Sequence, residues 1–109
     1  MILFGKKLYT GKKAAGQRYE LVNRLTRGEA PGNVYILTTP SAGGNLLDLY
    51  PARILTESYY QQKTLPAIGI AVGREEALEL IRTILQECLE ETGGTDILSY
   101  LRHRDYLAG

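Results

Sequence analysis

The residues able to do chemistry are few in this chain, and their positions narrow what chemistry is open to it. The stretch Thr38, Thr39, Pro40, Ser41, Ala42, Gly43, Gly44, Asn45 joins a short apolar run to a candidate helix, and Gly73 with Arg74 stands at a second such junction. Ligands gather where the strands of an open parallel sheet end, because helix N-termini there offer free backbone amides to anions. If the two turns are neighbours, Thr39, Ser41, Gly43, Gly44, Asn45, Gly73 and Arg74 become candidate binding residues for a phosphate or carboxylate. The loop has neither the lysine and spacing of a nucleoside-triphosphate loop nor the glycine pattern of a dinucleotide fold. Its plainer reading is a turn at Gly43 and Gly44 followed by a cap at Asn45.

No catalytic set is evident beyond that loop. His103 is the sole histidine, so a Ser, His, Asp arrangement would need Ser41 or Ser99 to meet it in space, and nothing in the spacing brings them together. A polar residue on an exposed last turn is the simpler role. Cys88 is the sole cysteine; it falls on the apolar face of a helix, where a thiol packs as a small hydrophobe and makes a poor nucleophile. One thiol and one histidine cannot build a structural zinc site. Glu75, Glu76, Glu79 and Glu87 read as a solvated helix face, since a hard cation needs several oxygens converging on one point. The leading expectation is a noncatalytic chain with no metal and no cofactor, and the alternative is a binder of, or an enzyme acting on, a small anionic ligand at the loops 38–45 and 73–76.

Charge is the more informative signal. The formal net charge is +1, but residues 1–28 hold Lys6, Lys7, Lys12, Lys13, Arg18, Arg24 and Arg27 against Glu20 alone. Residues 74–96 hold Glu75, Glu76, Glu79, Glu87, Glu90, Glu91 and Asp96 against Arg74 and Arg82. Opposite charges on two segments predict that they face each other, within one molecule or between two copies. Eight tyrosines, with Tyr50, Tyr59 and Tyr60 close to Leu49, Ile54 and Leu55, add a candidate contact surface. Self-association is therefore the leading expectation for a partner. A further reading has Lys6, Lys7, Lys12 and Lys13, interleaved with Phe4, Tyr9 and Tyr19, tracking a nucleic-acid backbone; the near-neutral chain and the absence of a known nucleic-acid module weigh against it.

The elements that must position these residues follow from periodicity. From about Glu75 to Thr92, Ala77, Leu78, Ile81, Ile84, Leu85, Cys88 and Leu89 recur at three- and four-residue steps, which predicts a helix leaving through Gly93 and Gly94. Leu65 to Val72 is an almost unbroken apolar run closed by Gly73, the pattern of a strand covered on both faces and typical of parallel sheets. Asn33 to Thr39 predicts a second strand. Between them, Asn45 to about Gln62 predicts a turn up to Tyr50 and a helix restarted with Pro51 in its first turn, giving a strand, helix, strand crossover unit. Ala15 to Arg27 reads as a helix ending at Gly28, and Ile2 to Tyr9 as a third, edge strand guarded by lysines. Thr95 and Asp96 cap a last helix that turns Ile97, Leu98 and Leu101 inward.

The expected fold class is thus α/β (or α+β): one domain over residues 1–109, with a two- to three-stranded sheet, a βαβ unit and flanking helices. From Val34 onward, Asn45, Leu46, Leu47 and Asp48, then Tyr59 and Tyr60, then Gly69 to Leu80, then Thr92 and Gly93 resemble a family of small bacterial proteins with no assigned activity; the resemblance implies the same fold and adds no site. Composition is that of an ordinary globular protein, 44% hydrophobic and 23% charged. The lone cysteine and an opening apolar run that stops at Gly5, Lys6 and Lys7 give a cytoplasmic, non-membrane expectation.

Overall fold

The computed structural model describes residues 2–40, 47–57 and 63–107. Four strands form one mixed sheet among the described residues: β1 (Ile2–Thr10), β2 (Val34–Thr38), β3 (Asp48–Pro51) and β4 (Leu65–Val72), in the order β1-β4-β2-β3. Among the described residues four α-helices accompany them: α1 (Lys12–Ala15), α2 (Arg18–Thr26), α3 (Arg74–Thr92) and α4 (Ile97–His103), with a 3-10 helix at Ala52–Thr56. No helix among the described residues is long and apolar enough to cross a membrane.

The expected pairing of the two apolar strands is corrected. β2 and β4 run antiparallel, with Val34 opposite Val72 and Ile36 opposite Ile70. The parallel partner of β4 is β1, the strand at the sheet edge. β4 reads as a continuous apolar run because it lies inside the sheet with helices on both faces, and that burial needs no particular strand direction. The βαβ unit between β2 and β4 is corrected with it, and the sheet is larger than the two to three strands expected.

Asp48–Pro51 is likewise a strand and not the lead-in to a helix, forming an antiparallel pair with β2 from Thr38↔Asp48 to Tyr35↔Pro51. Leu47 and Leu49 both pack against one core cluster, a period of two that belongs to a strand. Pro51, which has no amide to donate, is tolerated at the sheet edge. The 3-10 helix starts directly after it and buries Ala52. Tyr59 and Tyr60 lie outside the described residues.

Alternation along the strands splits the core in two. On one face Leu37, Ile68 and Ala71 meet Ala77, Leu80, Ile84 and Cys88 of α3 and Ile97, Tyr100 and Leu101 of α4. On the other, Val34, Ile36, Ala67 and Ile70 meet Ala14 of α1, Leu21 and Leu25 of α2 and Ala52. The result is three layers, with the sheet between α1–α2 and α3–α4. α3 spans nineteen residues and leaves through Gly93 in the left-handed conformation. In α4, capped by the Asp96 carboxylate accepting from the Ser99 N–H, Tyr100 points inward and Leu98 outward, a correction to the expected stripe. The i, i+3, i+4 set from Ile97 is Tyr100 and Leu101, and Leu98 lies about 100° around the helix from Ile97.

Candidate functional site

Among the described residues, Thr39 and the turn at Gly73 and Arg74 are not brought together. Thr39 follows the C-terminal end of β2, whereas Gly73 sits beside its other end, where its N–H donates to the Asn33 carbonyl at 2.7 Å. The five residues of β2 put these positions about 17 Å apart. Gly73 (φ 92°) opens α3 and Arg74 is its exposed first residue. Ser41, Gly43, Gly44 and Asn45 lie outside the described residues.

A carboxylate of the chain itself stands beside the turn after β4. Glu76, third in α3, folds back so that Oε2 accepts from the Val72 N–H at 2.6 Å, one residue before the N-cap amide that a capping-box glutamate takes. The same carboxylate accepts from the Lys13 N–H at 2.6 Å through Oε1 and from the Ala14 N–H at 3.4 Å through Oε2. One side chain thus ties β4, α1 and α3 together. Burial alone would raise its pKa, but the hydrogen bonds from Lys13, Val72 and Ala14, with the nearby Lys13 charge, outweigh it and hold the carboxyl below the usual range. The chain passes under this carboxylate at Gly11, where an added Cβ would overlap Glu76 Cγ and Cδ. The sequence signal for the clamp is a glutamate three residues after the glycine that opens a helix.

A second cross-link joins β1 to the α3–α4 layer. The Tyr9 hydroxyl donates to Glu87 Oε2 at 2.6 Å, its ring stacks on Tyr106 with centroids 4.1 Å apart, and Lys7 Nζ lies 5.7 Å from the Tyr106 centroid. Burial, the Glu87 bond and neighbouring groups push the Tyr9 phenol far above its ordinary pKa, and burial with the charges of Glu87 and Glu91 raises Tyr100. Both are kept as hydroxyls. Elsewhere, Ser99 Oγ donates to Asp96 Oδ2 at 2.9 Å as part of the α4 cap, and His103 is exposed. Cys88 is fully buried, with Sγ 3.4 Å from the Gly94 carbonyl. Among the described residues no three His, Cys, Asp or Glu side chains gather as a metal site.

The opposite charges found along the chain belong to different helical layers and come together at one end of the sheet, where Lys12 borders the same cavity as Glu75, Glu76 and Glu79. From 11 to 29, the α1–α2 layer carries Lys12, Lys13, Arg18, Arg24 and Arg27 against Glu20 and Glu29, and α3 carries six glutamates against Arg74 and Arg82. Arg24 and Arg27 both bind Glu29, while Lys12 and Arg18 form no salt bridge among the described residues. The expected meeting of the two segments within one molecule occurs through backbone N–H groups and the Tyr9 hydroxyl; among the described residues no N-terminal lysine or arginine forms a salt bridge with an α3 glutamate. Nor do the described lysines form one track, since Lys7 lies toward Tyr106 and Lys12 and Lys13 belong to α1 in the other layer.

Each layer also exposes apolar surface. Between β1 and α2 runs a groove of about 710 Å³, floored by Phe4, Leu8 and Val22 and rimmed by Arg18, Tyr19 and Glu20. Tyr19 is 84% exposed. On α3, Leu78 and Leu89 are 40% and 45% exposed, with half-buried Ile81 and Leu85 between them. Spacings of three, four and four residues align these four as a second stripe beside the core-facing one.

The chain matches no protein-family model, no curated protein and no solved structure. Architecture therefore defines its class: a three-layer α/β domain with a mixed sheet.

Proposed function

We propose that the chain is a small noncatalytic interaction module that associates with further copies of itself. The observation that carries this reading is the uneven charge of the two helical layers: residues 11–29 carry five lysines and arginines against two glutamates, with Lys12 and Arg18 in no salt bridge among the described residues, while α3 carries six glutamates against two arginines. Each is accompanied by apolar surface open to solvent. Charge of one sign steers unlike surfaces together and like surfaces apart, while exposed leucine and tyrosine supply the area that holds a contact once made. The groups that might otherwise suggest chemistry serve the fold, as Glu76 and Glu87 accept hydrogen bonds that join elements and Cys88 packs in the core. A buried, single thiol suits a reducing compartment, and the cytoplasm is the location we assign.

Sedimentation equilibrium of the full chain over a wide concentration range tests the reading. The weight-average mass should climb above that of one 12.1 kDa chain as concentration rises. A single-chain mass at every concentration would withdraw the proposal.

A further inference from the structure

We infer that copies associate head to tail, the apolar stripe of α3 on one copy seating in the groove between β1 and α2 of the next. The inference rests on the self-association just proposed and names the two surfaces that meet. Their chemistry is complementary. The stripe of Leu78, Ile81, Leu85 and Leu89 belongs to a helix of net charge −4. The groove has an apolar floor in Phe4, Leu8 and Val22 and a polar, aromatic rim in Arg18, Tyr19 and Glu20, within a stretch from 11 to 29 that carries five lysines and arginines against two glutamates.

Pairing of like with like is disfavoured at both surfaces. Two α3 helices laid together would juxtapose two acidic faces, and two grooves laid together would juxtapose two α1–α2 layers that each carry an excess of lysine and arginine. Direct pairing of β1 with β1 is opposed by exposed Lys7 and by the break in strand register between Phe4 and Tyr9. The groove opens on the α1–α2 side of the sheet and the stripe on the α3 side, so a single twofold axis cannot engage both at once. Each contact leaves a free groove at one end and a free stripe at the other, which makes the contact heterologous and the assembly a ring or an open chain.

A complementation experiment with full-length variants tests this geometry. L78R/L89R spoils the stripe, and R18E/Y19E spoils the groove; all four positions are exposed, and glutamates in the first turn of α2 suit its dipole. Each variant alone should lose self-association by roughly tenfold or more relative to the unaltered chain. Mixed in equal amounts, they should form a discrete one-to-one dimer that grows no further, since one good stripe and one good groove remain. Formation of that dimer also establishes that both variants are folded, and thermal unfolding of each alone checks it independently. If the unaltered chain associates but the folded variants fail to combine, or either alone associates as well as the unaltered chain, head-to-tail pairing is wrong while self-association stands. A monomeric unaltered chain would overturn both.

Discussion

The two layers flanking the sheet differ in how completely they cover it. α3 runs nineteen residues and buries Ala77, Leu80, Ile84 and Cys88 along one stripe. α1 and α2 run four and nine residues and bury Ala14, Leu21 and Leu25. A long helix held by one stripe has surface to spare, and α3 presents a second stripe outward. Two short helices with a turn between them leave a groove beside β1. The same sheet thus supports a closed layer that carries much of the stability and an open layer that offers a receptor.

Mutations can break this comparison or sharpen it. The largest effect is expected in the closed layer, where Ile84→Ala leaves a cavity under a fully buried side chain and should cost about 2–5 kcal/mol in denaturant unfolding. Next comes the clamp that holds the two layers together. Glu76→Gln offers an amide where the carboxylate accepts from Val72, Lys13 and Ala14, and should cost about 1–3 kcal/mol; Gly11→Ala should displace the same carboxylate.

The clamp also has a pH signature. Because the folded Glu76 carboxyl lies below its unfolded value, its stabilisation is complete above the unfolded range of about pH 4–5 and fades as pH falls through the folded value. Unfolding midpoints measured downward from neutral pH should therefore drop less steeply in Glu76→Gln than in the parent. A parallel pair of curves would mean that Glu76 titrates alike in both states.

Tyr9→Phe keeps the stack on Tyr106 and removes the hydroxyl bonded to Glu87, a smaller loss of about 0.5–1.5 kcal/mol by the same unfolding measurement. Smallest is Tyr19→Ser in the open layer. Its stability should stay within about 0.5 kcal/mol of the parent, while association, followed by sedimentation, weakens.

How far the sequence carries depends on whether a local pattern has one structural solution. α3 was legible because its apolar spacing, first-turn glutamates and Gly93 exit all agree, and the Asp96 cap of α4 because side-chain capping is a local event. Residues 45–62 were ambiguous: Leu46, Leu47, Leu49, Ile54 and Leu55 fit helical steps, while Leu47 and Leu49 also alternate with Asp48 and Tyr50. Pairing with β2 decided for a strand, and that pairing is not written in the segment itself. Strand direction was beyond reach for a similar reason, since an apolar run reports burial on two faces and nothing about orientation. The expected site at Gly73 was half legible. The glycine-led turn was visible there, but its Glu76 carboxylate serves amides elsewhere, those of Val72 in β4 and of Lys13 and Ala14 in α1.

The most direct test of the account is a salt titration of the full chain, with average mass followed by static light scattering at a concentration where association is seen in dilute buffer. Contacts between a basic and an acidic surface should loosen as salt screens them, so the mass should fall toward that of one chain. A mass that holds steady or rises with salt would place the contact on apolar surface alone and contradict the role given to the uneven charge of the two helical layers.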